Sequence, residues 1–436
     1  MLNHVSNSCS RSPGEKGDTP DPLAWFGGMI DHCYDYAEAA KAQGRPIVGI
    51  MCEFTPREVI LAAGAVPVCL CGGSAETIPA AEQYLPSNLC PLIKSTFGYC
   101  VTGKNPFLNW ADLIVAETTC DGKKKMFELM GASKPMYVLE LPQKADDSDA
   151  LERWTAEVRK LKQHLEQRFH VSITDERLRA AIRLMNRERN LRRQLADLMT
   201  QDRPPLTGRQ LLEFKSTISG IEADLEQYEK ALAWLDNGGT APGSPKANAS
   251  GKTQVRVLLT GVPIVHGAEH VLELIENSGA VVVCMENCTG LKPILEDVDE
   301  RAPDPITAIA HKYYHLPCSV MLANQRRLES LRALTVKFRP QCVIELVWQA
   351  CLTYDVESYR VRKLMDDELG LPYLKITTDY SPSDSARISA RIEALLETVR
   401  ARVSADVDLL AHEQFPEPAF RTGIHCLNVG QVYLGS

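Results

Sequence analysis

Short apolar runs alternate with helix-forming stretches twice along this chain, and this alternation is the feature that most limits its fold. In the first block, the strand RPIVGIM (45–51) is followed by the helix TPREVILAAG (55–64) and the strand AVPVCL (65–70). Strand and helix then keep alternating as far as the strand PMYVLEL (135–141). A strand that returns after each helix is typical of βαβ units, which place parallel strands in one sheet.

The same alternation returns in the last third of the chain, from VRVLLTG (255–261) to RPQCVIELVWQ (339–349). The stretches GAVPVCL (64–70) and GAVVVCM (279–285) each follow a short helix, which indicates that the two blocks repeat one doubly wound unit.

Residues 151–235 separate the two blocks and have helical periodicity with many charged residues. A stretch rich in Gly, Pro, Ser and Ala follows them. We therefore predict an α/β fold with two doubly wound, flavodoxin- or Rossmann-like parallel-sheet domains and a helical insertion between them. The predicted boundaries are a polar N-terminal tail (1–24), α/β domain 1 (25–150), a helical domain (151–235), a linker (236–254), α/β domain 2 (255–400) and a C-terminal extension (401–436).

Charge and hydropathy exclude several classes of function. The formal net charge is −8, with 48 Lys and Arg against 56 Asp and Glu, so the chain lacks the basic face that nucleic-acid binding requires. The N-terminus MLNHVSNSCSRSPGEKGDTPDP has no apolar segment of a signal peptide, and no run of 18 apolar residues occurs. We expect a cytoplasmic protein that binds neither nucleic acid nor membrane.

Six of the fourteen cysteines fall at turns of the predicted sheets. In an open α/β sheet these turns gather at the carboxyl edge of the strands, where ligands bind, and helix N-termini there favour a thiolate. Cys120, in AETTCDGKKKM (116–126), has the position of a ligand with a low pKa. The six candidates for a metal or redox site are Cys52, Cys90, Cys120, Cys288, Cys318 and Cys351.

The remaining cysteines are interpreted mainly as core residues, because free cysteine is among the most buried residue types. Cys71 stays undecided, since its turn could bring it to the same edge. No C-x-x-C motif occurs, which disfavours a zinc ribbon or a ferredoxin-like run and favours a cluster held by dispersed thiolates. The cysteines assigned to the core, the tails or helices are Cys9, Cys33, Cys69, Cys100, Cys284, Cys342 and Cys426.

No nucleotide-binding signature is present. The stretch ASGKT (249–253) resembles the end of a P-loop, but Lys246 occupies the position of the required first glycine. If ATP drives this protein, we expect another chain to bind it.

Several segments together resemble the 2-hydroxyacyl-CoA dehydratase D-component family, which includes benzoyl-CoA reductase subunits. The resemblance runs from about residue 45 to about residue 395 and is most specific at the Cys-Asp-Gly-Lys-Lys block. Within the family, the elements PREVILAAGAVPVCLCGGS, MENCTGLKP and LPCSVM are similar to the double-cubane cluster proteins, which are homodimeric, ATP-dependent anaerobic reductases. The segments that carry the family resemblance are LPSNLCPLIKSTFGY, ETTCDGKKKMFELM, ITDERLRAAIRLMNRERN, PPLTG, ENCTG and LVWQACLTYDVES.

The resemblance implies that Cys90, Cys120 and Cys351 hold a [4Fe–4S] cluster with one iron open to substrate. A double cubane, [8Fe–9S], needs three further thiolates, for which Cys52, Cys288 and Cys318 are the candidates; Cys71 or Cys284 could replace Cys52. It also implies that a separate iron–sulfur ATPase supplies the electrons, that the protein is a homodimer, and that a small molecule is reduced at the open iron.

Three functions remain open at this stage. The first is an ATP-coupled reductase with a double cubane, the second is a 2-hydroxyacyl-CoA dehydratase subunit with a single [4Fe–4S] cluster, and the third is a non-catalytic electron carrier. Polar residues that could supply protons are His266, Glu286, Glu345 and Trp348, and each could equally be a strand-end residue satisfied by the backbone.

Overall fold

The computed structural model describes residues 22–240 and 254–413. Residues 1–21 of the predicted tail, 241–253 of the predicted linker and 414–436 of the predicted extension therefore lie outside the described residues, as do Cys9, Cys426 and the ASGKT stretch. The predicted domain boundaries stay a prediction.

The first block forms a four-stranded parallel sheet with the order β2-β1-β3-β4. The central strand that contains Val48 pairs with neighbours on both sides: Val48 lies opposite Pro67 on one side and opposite Leu113 on the other. The strands are β1 (Ile47–Ile50), β2 (Val66–Cys69), β3 (Leu113–Glu117) and β4 (Met136–Leu139). The helices around this sheet are α1 (Ala24–Gly27), α2 (Met29–Ala42), α3 (Arg57–Ala62), α4 (Ile78–Ala81), α5 (Pro91–Thr102), α6 (Pro106–Trp110) and α7 (Asp121–Met130).

The segment between the two blocks is helical, as predicted, and its first two helices cover one face of the first sheet. Alternate strand residues such as Val48 and Ile50 pack with Trp154 and Leu161 in one apolar core, because successive side chains of a strand point to opposite faces. The helices are α8 (Ala150–Phe169), α9 (Asp175–Asp197), α10 (Gly208–Glu213) and α11 (Glu222–Asp236).

The second block repeats the first with the strand order β6-β5-β7-β8, again all parallel. Both sheets therefore share the doubly wound order 2-1-3-4, which confirms the predicted fold class. The strands are β5 (Val255–Gly261), β6 (Ala280–Glu286), β7 (Cys342–Trp348) and β8 (Tyr373–Thr378). The helices are α12 (His270–Asn277), α13 (Pro305–Tyr314), α14 (Gln325–Phe338), α15 (Leu352–Lys363), which continues as a π-helical turn (Leu364–Leu369), and α16 (Ser385–Glu413).

The two halves meet along a seam near the carboxyl ends of their strands. A second apolar core contains the inner face of the first sheet, including Ile47 and Ile114, and all four strands of the second. Across the seam, Tyr380 Oη donates a hydrogen bond to the backbone oxygen of Gly72 at 3.1 Å. The strand-end turns of both halves are thereby brought to one place.

Candidate metal centre

The six predicted cysteines line a single cavity of about 870 Å³ between the two halves. Three come from the first half and three from the second, although they are up to 299 residues apart in sequence (351 minus 52). Apolar side chains such as Val262 and Trp348 form much of the rest of the wall. The prediction that turns of both sheets gather these thiols at one edge is confirmed; their role as ligands stays a prediction.

Three of the thiols stand at helix N-termini. Cys90 precedes α5, with Pro91 in its first turn, and Cys120 and Cys351 hold the equivalent positions before α7 and α15. The backbone oxygen of each starts its helix, for example by accepting from Lys124 N at 2.9 Å. The free N–H groups and positive ends of three helices are therefore directed to one side of the cavity.

The other three thiols lie in tight turns that hydrogen bonds hold in shape. At Cys288, Asn287 Oδ1 accepts from the backbone N–H groups of Thr289 at 3.1 Å and of Gly290 at 2.8 Å. At Cys318, the backbone oxygen accepts from Asn324 Nδ2 at 2.9 Å. The backbone oxygen of Cys52 accepts from Thr55 N at 3.3 Å. None of these positions depends on a helix N-terminus.

The thiols fall into two neighbouring groups of three. The side chain of Cys351 lowers the pKa of Cys90, and the charge of Cys351 raises the pKa of Cys120. Cys52 is likewise close enough to Cys288 and Cys318 for each to raise its pKa. We call these the helix-end group (Cys90, Cys120, Cys351) and the turn group (Cys52, Cys288, Cys318); Cys120 and Cys318 connect them.

Burial decides the protonation of most of these thiols. It raises the pKa of Cys52 well above the usual value and that of Cys288 to about 12, although Lys123 and Lys292 respectively oppose the shift. It also raises the pKa of Cys120, and the backbone N–H and charge of Lys123 reduce this shift without reversing it. The expectation of a low pKa at Cys120 is therefore wrong, because desolvation outweighs the helix N-terminus.

This donor set fits a polynuclear iron–sulfur group better than a single ion. Within the described residues, no three Cys, His, Asp or Glu side chains come close enough together to hold one metal ion. The six sulfurs instead surround a wide cavity, and soft thiolates are the ligands that iron–sulfur clusters use. Buried thiols with raised pKa values need an added positive charge to become thiolates, and bound metal supplies it. Cys90, Cys120, Cys351, Cys52, Cys288 and Cys318 would hold such a group.

The wall of this cavity also contains Lys123, a half-buried lysine that the sequence did not single out. Lys123 Nζ donates to the backbone oxygen of Met51 at 2.6 Å, next to Cys52. Burial lowers its pKa, but the nearby thiols of Cys52, Cys71 and Cys120 raise it more. Because Lys123 follows Cys120 by three residues in α7, helical spacing could have placed it on the same side as the thiol.

The four residues named as possible proton donors have different surroundings. Trp348 lines the cavity, but its Nε1 donates to Pro263 O at 3.3 Å. Glu286 is the last residue of β6 and Glu345 lies in the middle of β7; both are fully buried and form ion pairs with Arg327. His266 lies on the wall of an adjoining cavity, 3.6 Å from Glu269. Of these residues, only Trp348 lies in the wall of the thiol cavity.

The structure also places the cysteines that were open or assigned to the core. Cys71 and Cys69 both line the thiol cavity, with Cys71 Sγ donating to Met51 O at 3.5 Å. Cys284 is buried within β6 and is absent from the cavity wall. Cys33, with its sulfur 3.3 Å from Ser216 Oγ, and Cys342 are buried away from the cavity, whereas Cys100 is half-buried beside Ser133. Cys71 thus stays a possible replacement for Cys52.

Across the part of the chain that the structure describes, no helix has the length and apolar character required to cross a membrane.

Comparison with known proteins identifies related chains over most of the sequence. A family model described as 2-hydroxyglutaryl-CoA dehydratase, D-component, matches residues 52–399. "Putative dehydratase subunit YjiM" of Escherichia coli (strain K12) is 38% identical over 365 residues, which cover 82% of this chain and 92% of the relative. The beta subunit of (R)-2-hydroxyglutaryl-CoA dehydratase from Acidaminococcus fermentans is 21% identical over 82% of this chain and 94% of its own length. A benzoyl-CoA reductase subunit of Thauera aromatica is 24% identical over 62% of this chain and 68% of its own.

Proposed function

The chain belongs to the 2-hydroxyglutaryl-CoA dehydratase D-component family, and we propose that it is an iron–sulfur reductase with a double-cubane [8Fe–9S] cluster. A separate ATP-hydrolysing iron–sulfur protein would deliver low-potential electrons, and a small molecule would be reduced at an open iron. We further propose that the protein works as a homodimer.

The observation that carries this proposal is that one cavity is lined by eight thiols, among which are the three of the helix-end group and the three of the turn group. One cubane with an open iron requires three thiolates, so a single cluster would leave the turn group without a ligand role. Two such cubanes use both groups. The charge interaction between Cys120 and Cys318, which belong to different groups, supports a cluster that joins them.

When bound, the cluster would supply one-electron chemistry at potentials that reach about −700 mV in iron–sulfur proteins. The residues of this chain hold and shield it. Lys123 places a positive charge beside thiolates of both groups, which offsets part of their mutual repulsion. Gln143 Nε2 donates to the backbone oxygens of Thr118 at 2.9 Å and Thr119 at 2.7 Å, which fixes the turn that carries Cys120.

A dehydratase subunit with one [4Fe–4S] cluster is the second candidate. Its support is that the helix-end group alone would supply the three thiolates that one such cluster needs, and that two relatives are named as dehydratase subunits. In that case the substrate would be a 2-hydroxyacyl-CoA, and the turn group would be structural.

Iron and sulfide analysis of protein prepared without oxygen tests the proposal. A double cubane predicts about eight irons per chain and a single cubane about four. Cys120→Ser should lose iron in both cases, because it removes one of three thiolates from its group. Cys288→Ser and Cys318→Ser should lose a substantial part of the iron and change the EPR spectrum only if the turn group binds a cubane.

Cys33→Ser and Cys100→Ser are matched controls away from the cavity and should keep the wild-type iron content. An iron content near four that is insensitive to Cys288→Ser and Cys318→Ser would reject the double cubane and favour the dehydratase. Colourless protein with stoichiometric zinc would reject both.

A further inference from the structure

A second cavity of about 420 Å³ adjoins the thiol cavity at the seam between the halves. The two cavities share five wall residues and are therefore direct neighbours. The shared residues are Cys69, Cys71, Lys215, Val265 and Thr289. We call this second cavity the antechamber.

Both halves of the protein build the antechamber. The first half contributes Lys104 and the start of α6, and the second contributes the turn Ile264–Gly267. The halves touch closely here, since a Cβ atom added at Gly73 would lie 2.1 Å from the backbone oxygen of His266. Only glycine fits this approach, which closes one side of the antechamber with backbone.

The charges on the antechamber wall are all of one sign. Its lining includes Lys104, Lys215 and His266 but no carboxylate, whereas the lining of the thiol cavity includes Glu53, Asp121 and Glu140. Lys104 is exposed and forms no ion pair with any residue that the structure describes. Among the residues of its wall that the structure describes, the two lysines therefore carry the charge, whereas His266 lies 3.6 Å from Glu269.

The pairing of Lys215 does not cancel this excess. Its Nζ lies 3.0 Å from Glu53 Oε1, but Arg57 Nη2 also lies 2.7 Å from the other oxygen of Glu53. Two cations thus contact this one carboxylate, and of the two Lys215 is the one that lines both cavities.

We propose that the antechamber admits and holds a small anion, either a carboxylate or an inorganic oxyanion, before it reaches the thiol cavity. A protein with a formal net charge of −8 repels anions on average, and a local positive region reverses this effect for one entrance. Lys104 would attract the anion at the outside, Lys215 would receive it at the junction, and Lys123 lies in the wall of the thiol cavity beyond. The proposal rests on the proposed function only in taking the thiol cavity as the reaction site.

Alkylation of Cys69 by two reagents, one anionic and one neutral, tests the selectivity for anions directly. Cys69 is half-buried, lines both cavities and is not one of the six proposed ligands. Iodoacetate is an anion and iodoacetamide is its neutral analogue of similar size. The rate at Cys69 in the iron-loaded protein, resolved from Cys71 by peptide fragmentation and divided by the rate with glutathione, gives a charge preference.

We expect wild-type protein to prefer iodoacetate and Lys104→Glu to lower this preference about three- to tenfold, as reversal of one partly screened charge predicts. Lys230→Glu is the matched control, because it makes the same charge change on an exposed part of α11 outside both cavities. Acetate and sulfate, added separately, distinguish the two sources of the anion: the stronger competitor of iodoacetate identifies the class.

Equal effects of Lys104→Glu and Lys230→Glu, or a wild-type preference no greater than that of glutathione, would overturn the proposal. These outcomes are independent of the iron content. A failure here with about eight irons per chain would reject the antechamber alone, whereas rejection of the double cubane would leave the charge preference measurable.

Discussion

Replacement of Arg327 by methionine should destabilise the protein strongly, because three buried carboxylates depend on this guanidinium. Arg327 is fully buried, and its nitrogen atoms lie 3.3 Å from Glu286, 3.1 Å from Glu345 and 2.6 Å from Glu357. Its Nη2 also donates to Thr260 Oγ1 at 2.9 Å. The substitution keeps an apolar stem of similar length but leaves these carboxylates with Lys292 as the only other ion-pair partner that the described structure gives them.

Removing one partner of a buried ion pair costs about 3–5 kcal/mol, because the remaining charge stays desolvated. For a folding unit of about 150–250 residues, this corresponds to a loss of about 6–20 °C in Tm. Arg332→Met is the matched control on the same helix, since Arg332 pairs with Glu368 at the surface and such pairs contribute about 0–1 kcal/mol. Thermal unfolding followed by circular dichroism measures both variants.

The same substitution should also disturb the thiol cavity. Glu286 lies two residues before Cys288, and Glu357 accepts from Asn324 Nδ2 at 2.8 Å while the same amide holds the backbone oxygen of Cys318. We therefore expect Arg327→Met to retain less iron than Arg332→Met. A Tm within about 2 °C of the control, less than the shift expected from 1 kcal/mol, would refute the assignment of Arg327 as the charge that holds these turns.

Two further predictions concern the parts of the fold that carry the site. Burial disfavours the charged form of His32, but Asp224, 3.2 Å away, outweighs it and raises the pKa to about 9. The ion pair therefore stabilises the fold fully below about pH 6.5, and this stabilisation is lost as the pH rises through 9. Urea unfolding below pH 6.5 and above pH 9 should show that the free energy of unfolding falls by about 1 kcal/mol in the wild type and not in His32→Gln. An equal fall in the variant would contradict this prediction. Gly98→Ala in α5 should destabilise the protein by about 1–3 kcal/mol and lower its iron content, because the added Cβ would lie 2.0 Å from the backbone oxygen of Thr77. Gly27→Ala is the control and should be nearly neutral, because its Cβ would meet nothing within 4 Å. Unchanged urea midpoints for both variants would count against this packing.

The fold and the set of six thiols could be predicted from sequence because both depend on local signals. Alternating strand and helix patterns gave each sheet, with errors confined to the ends: the strand predicted at 45–51 forms over Ile47–Ile50, and the helix predicted at 55–64 forms over Arg57–Ala62. Cysteine is rare enough, and the turns distinct enough, for the candidates to be placed at one edge of the sheets.

Properties that depend on tertiary packing could not be read in this way. The raised pKa of Cys120 results from burial, and nothing in AETTCDGKKKM reports how deeply the turn is covered. Both Glu286 and Glu345 pair with Arg327, which is 41 and 18 residues away from them in sequence, so two strand carboxylates that looked like proton donors are instead ion-pair partners. Sequence spacing can suggest a neighbour within one helix, as for Lys123, but not across a seam.

The division of the thiols between the halves explains why the site needs both of them. The helix-end group takes Cys90 and Cys120 from the first half and Cys351 from the second, whereas the turn group takes Cys52 from the first and both of its other members from the second. Neither half alone holds a complete group of three. Any cluster bound by either group therefore crosslinks the halves, and separation of the seam at Gly72 and Tyr380 would break ligand bonds as well as the hydrogen bond there. Because a ligand that binds only the closed arrangement stabilises that arrangement by mass action, the affinity for the cluster and the stability of the seam are linked properties of this fold.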